Sequence, residues 1–172
     1  MANFSVKLVD HTQGSAKLRP LIQKPLQDLF NEVFAGTPDS ATVDWGTASP
    51  SDQIVLHFVE DVAGSYISQK MPGNNIRGDA GGHTRLQNGI TGSEFYKVAV
   101  FDGKPTQVKA TAMARLAFHE AMHNQFPGWS NADMHGPLGG GGLATSPPQH
   151  SLTDKNKALM RKGMAIKNAQ LL

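Results

Sequence analysis

Between Pro105 and Pro127 the chain reads PTQVKATAMARLAFHEAMHNQFP. Pro105-Thr106 suits the opening of a helix and Pro127-Gly128 stops it, so the punctuation predicts a long helix ending at about Gln125. Ala110, Met113, Ala114, Ala117, Ala121 and Met122 line one side of it. Side chains this small let a helix pack closely on a sheet. Near its end stand Phe118-His119-Glu120-Ala121-Met122-His123, an H-E-x-x-H pattern. Helical residues four apart lie one turn above each other on the same face, so the imidazoles of His119 and His123 can converge on one tetrahedral ion. Glu120 comes one position later, within reach of a water at an open coordination position. Its carboxylate can take a proton there and return it to a leaving amine.

The elements around this helix place it in an α+β chain. Val6-Lys7-Leu8-Val9 alternates and reads as a short strand. Lys17 to Phe34 carries Leu18, Leu21, Ile22, Leu26, Leu29, Phe30 and Val33 at helical spacing, with Pro20 in a first turn and Pro25 expected to kink or restart the helix. Gly36 and Pro38 end it, and a Ser-, Thr-, Asp- and Pro-rich loop is expected next. Gln53 to Val59 reads as a strand buried on both faces. Thr84 to Leu86 suits a short edge segment, and Glu94 to Phe101 a further strand. Thr153-Asp154 caps a final helix carrying Leu159, Met160, Met164 and Ile166. No repeat or linker divides the 172 residues, so a single domain spanning residues 1–172 is expected.

Composition removes several classes of function. There are no cysteines, which excludes disulfides, thiolate metal sites and Cys nucleophiles. No run of about 18 apolar residues is present, so no membrane span is expected. A net charge of +2 gives no case for a phosphate-driven nucleic-acid binder. Met1 to Lys7 lacks both a basic region and an apolar region of a signal peptide, so the chain is expected to be cytoplasmic or exported by a leaderless route.

A catalytic zinc site takes three protein ligands and keeps one position open. The glutamates are Glu32, Glu60, Glu94 and Glu120, so a Glu ligand downstream of the motif is excluded. Asp133, His135, His150 and Asp154 remain. His135 lies just past the helix-ending loop and is the expected third ligand. Asp133 is the alternative, or a partner to an imidazole N–H. His150 follows Pro147-Pro148 and reads as a solvated loop residue.

At these residues the chain resembles the zincin metallopeptidases, and among them the metzincin group. The resemblance implies a small twisted mixed sheet packed on an N-terminal helix and an active-site helix that carries the first two ligands. It also implies a third His after the chain turns below the metal, and a Met-containing turn that supports the site. The metzincin pattern has Gly three residues after the second His and a ligand six after it. Here those positions hold Phe126 and Trp129. Trp does not ligate zinc, so a longer turn is expected, with Gly128 and His135 in those roles. Met160 or Met164 is the candidate for the Met-turn, with plain core packing as the alternative.

Other residues carry less. The Gly139–Gly142 run lacks the Lys-Ser/Thr of a phosphate loop and reads as a flexible loop or close backbone packing. His57 and His83 read as structural histidines. Tyr66 and, less so, Tyr96 are candidate donors to an oxyanion. The segment Gly82 to Gly89 suits a cleft-edge strand that pairs with an extended substrate. The expected function is a monomeric metallopeptidase with one catalytic Zn²⁺ and a peptide or protein substrate. The alternatives are a narrow-specificity zinc hydrolase acting as a toxin or effector, and a non-catalytic metal-binding or interaction module.

Overall fold

The computed structural model describes residues 1–11, 16–59, 82–87, 90–97, 107–125 and 152–165. These form β1 (Asn3–Asp10), α1 (Leu18–Phe34), β2 (Ser40–Trp45), β3 (Ile54–Val59), β4 (Gly82–Gln87), β5 (Ile90–Lys97), α2 (Gln107–Gln125) and α3 (Asp154–Ala165). The strands make one mixed sheet in the order β2-β1-β3-β5-β4. All neighbours pair in parallel except β4, which runs antiparallel to β5 at one edge. The α+β expectation is met at this level.

Alternation decides which side of the sheet is dry. Val6 and Leu8 of β1 and Ile54, Leu56 and Phe58 of β3 are fully or almost fully buried. They join one core cluster with residues of α1, β2, α2 and α3. Because strand side chains alternate, Val9 and His57 project from the opposite face. β3 lies third of the five strands, as its density of apolar residues predicts.

β2 corrects the loop expected after α1. Its Ser, Thr and Asp occupy positions 40, 42 and 44, whereas Ala41 and Val43 turn inward and are buried. This is the pattern of a strand with one wet face. The outer edge of β2 is covered from α1. Gln27 Nε2 donates to Ala41 O at 2.9 Å while its Oε1 accepts from Val43 N at 2.9 Å. Gln23 Nε2 donates to Val43 O at 2.8 Å. Side-chain amides thus complete a backbone ladder that an edge strand leaves open.

α1 buries Leu18, Ile22, Leu26, Phe30 and Val33 at helical spacing and runs through Pro25 without a break, contrary to the expected restart. A proline removes the bond to the carbonyl four residues earlier, here that of Leu21. Gln107 Nε2 of α2 donates to that oxygen at 3.2 Å. The hydrogen bond missing inside one helix is supplied by the next. After α1, Gly36 takes φ 75° and the chain turns into β2.

The remaining differences are at boundaries. β5 starts four residues before the expected Glu94, and residues 98–101 lie outside the described residues. α3 is capped as expected. Thr153 Oγ1 accepts from Asn156 N at 3.1 Å, and Asn156 Oδ1 accepts from Thr153 N at 3.3 Å, a reciprocal box with Asn in the usual Glu/Gln place. α3 ties down the end of α1. Arg161 donates to Val33 O at 2.6 Å and Lys157 pairs with Glu32 at 3.1 Å. Met160 and Met164 are fully buried inside this helix. Both are core residues, and neither forms the Met-turn that the resemblance suggested.

Candidate metal centre

α2 carries the motif in its last two turns. It packs against α1, β4 and β5, and Phe118 meets Phe30 of α1 edge to face at 5.1 Å. All residues from Ala117 to Met122 are buried. Six consecutive positions span more than one turn of about 3.6 residues, so the helix is enclosed all round at the motif. Small side chains make this possible, because Ala114, Ala117 and Ala121 let neighbouring elements approach the helix axis.

Two chemistry-bearing groups lie within this enclosed stretch. His119 is 1% exposed and Glu120 5% exposed. Burial of such groups is costly unless they are partnered, and both make polar contacts here. His123 follows His119 by four residues on the same helix, one turn along. Its side chain lies outside the described residues, as do His135, Asp133, His150, Tyr66 and the Gly139–Gly142 run. Among the described residues, no three His, Cys, Asp or Glu side chains gather into a metal-binding group. The donor set itself suits a borderline cation, with imidazole nitrogens as ligands and a carboxylate beside them.

α2 is braced at both ends. Gln107 reaches α1, as described, and also Thr111 Oγ1 at 3.2 Å. At the other end, Gln53 Nε2 donates to Gln125 Oε1 at 3.2 Å in a buried contact. The turn carrying Gln53 is fixed by buried Asp52, which accepts from Ser5 Oγ and from Ser49 N. α2 is thus anchored, two residues after His123, to the residue that precedes β3. β4, the expected edge segment, is the outermost strand among the described residues and lies beside α2.

One functional-looking contact was not anticipated from the sequence. His11 Nε2 and His57 Nδ1 face each other at 2.7 Å, joining the ends of β1 and β3. Burial, and then the neighbouring His11 charge, push the His57 imidazole down from 6.5 to about 4. His57 therefore stays neutral through the physiological range. The alternation of β1 extended by two residues from Val9 is the only sequence signal for this pair, and it needs the β1–β3 register to become visible.

Among the described residues, no helix is long and apolar enough to cross a membrane. Set beside protein-family models, curated proteins and solved structures, the chain finds no match in any of the three.

Proposed function

We propose that this chain is a zinc-dependent metallopeptidase of zincin type, with His119, His123 and His135 as metal ligands and Asp133 as the alternative third. The observation that carries this reading is the burial of His119 and Glu120 side by side in the enclosed part of α2. The mixed sheet, the N-terminal helix and the C-terminal helix around α2 agree with the architecture the resemblance implies.

His119, His123 and His135 would hold the ion, which when bound would supply Lewis acidity to a water and to the scissile carbonyl. Glu120 accepts the proton of the attacking water and passes it to the amine leaving group. The stretch of helix that carries His119 and His123 is held at Gln107 and at Gln125, as a reactive centre needs. β4 offers an edge along which an extended peptide backbone can pair, so substrate lies antiparallel or parallel to Gly82–Gln87 beside the helix.

The test separates metal from catalysis. Glu120→Gln keeps zinc stoichiometry while turnover of casein falls by about 10²–10⁴-fold, the usual share of general acid–base catalysis. His135→Ala weakens zinc binding. Purified wild-type protein that folds normally, carries no zinc and takes none up would end the proposal. Full zinc loading without casein cleavage would redirect it to a dedicated protein target.

A further inference from the structure

We propose that His11 and His57 form a second site, for a divalent transition-metal ion, on the side of the sheet away from α2. The inference rests on strand geometry and is independent of the reading of α2. In β1, Val6 and Leu8 point into the helix-side core, so Lys7, Val9 and His11 share the other face. In β3, Ile54, Leu56 and Phe58 point into the same core, which puts His57 on that other face too. Val9 and His57 are register partners, and His11 is tied across by its N–H to Phe58 O at 2.9 Å. Asp10 alternates the opposite way and bonds Arg19 of α1 at 3.1 Å.

The two rings meet edge to edge. Their centroids are 5.0 Å apart, tilted by 27°, with the facing nitrogens 2.7 Å apart. Those nitrogens therefore lie near the line between the ring centres, and one N–H donates to the other nitrogen. Each neutral ring can instead carry its proton on its outward nitrogen. Two lone pairs then face one point in space, the arrangement a cation takes up. Zinc–imidazole bonds of about 2.0–2.1 Å in a tetrahedron place the two nitrogens roughly 3.3 Å apart. The rings need to part by about 0.6 Å and each to turn by roughly 35°, so that both lone pairs meet at an ion beside the N–N line; His11 is exposed and lies one residue past the end of β1. Solvent reaches His11 and completes the coordination. Imidazole pairs suit Zn²⁺, Cu²⁺ and Ni²⁺.

The intact chain is titrated with Ni²⁺ by calorimetry, as wild type, His11→Ala and His57→Gln. The wild type is expected to bind one equivalent more than either variant, or to bind that equivalent at least about tenfold more tightly. Any ion held on α2 contributes equally to wild type and variants and cancels. Equal stoichiometry and affinity in wild type and His11→Ala overturns the proposal. Since His57 is partly buried, a second readout uses wild type alone. Substoichiometric Ni²⁺ is expected to broaden the ring resonances of His11 and His57 together, and broadening that spares both rings also overturns it.

Discussion

Gly163 of α3 lies against the main-chain carbonyl of Gln125, the last residue of α2. A Cβ at position 163 would stand 2.0 Å from that oxygen and 2.9 Å from its carbon. Glycine lowers helix propensity by about 1 kcal/mol relative to alanine, so its presence at a buried helical position reflects contact rather than local preference. Gly163→Ala is expected to lose stability despite the better propensity. Overpacking typically costs about 1–3 kcal/mol, and the contact is with backbone, which cannot swing aside as a side chain does. Urea unfolding of the variant is the check, and an unchanged or raised midpoint would show that the helices can separate freely.

The pair formed by Pro25 and Gln107 makes a coupled prediction. Gln107→Ala removes the donor to Leu21 O and should cost about 0.5–1.5 kcal/mol. In a Pro25→Ala background the new N–H at position 25 can take the same carbonyl, so the loss from Gln107→Ala should shrink. A double-mutant cycle reads this as a coupling of at least about 0.5 kcal/mol. Additive losses would mean that Gln107 acts through Thr111 alone.

Acid should weaken the fold through His57. Its folded-state value is about 4 against 6.5 for an unperturbed imidazole. Between those values the unfolded chain gains a proton that the folded chain refuses. The stability that neutral His57 contributes is therefore complete above about pH 6.5 and lost progressively as the pH falls towards 4. Unfolding free energies measured across that window should decline in wild type and decline less in His57→Gln. Parallel slopes would show that other groups govern the acid limb.

How much of this was readable from the residues differs by element. α2 and its end at Gln125 were legible because prolines punctuate it and its apolar period is long. β3 was legible because Ile54, Val55, Leu56, Phe58 and Val59 make it apolar at every position but His57. β2 was not, since Ser40, Thr42 and Asp44 carry a loop composition and the strand depends on Gln23 and Gln27 from another element. The same limit hid Gln107 behind Pro25, where a local rule about proline is answered by a distant side chain. At the motif, His119, Glu120 and His123 could be named from spacing alone, whereas the depth at which His119 and Glu120 are buried is a product of packing. The His11–His57 contact combines two strands whose register no local pattern encodes.

The enclosed site on α2 makes a last prediction that does not depend on substrate. A ligand that binds only the folded state stabilises it in proportion to the logarithm of its excess over Kd, about 2.7 kcal/mol at a hundredfold excess. For a chain of this size that is a rise in Tm of roughly 5–10 °C. Zinc should therefore raise the Tm of the wild type and a chelator should reverse the rise. Glu120→Gln should respond to zinc as wild type does, because its carboxylate is assigned to proton transfer rather than ligation. His123→Ala should lose most of the response, since a second imidazole one turn from His119 is what turns a single weak donor into a chelate. A zinc response that survives His123→Ala undiminished would place the ion elsewhere, and comparison with His11→Ala would then show whether the strand pair, rather than the helix, is holding it.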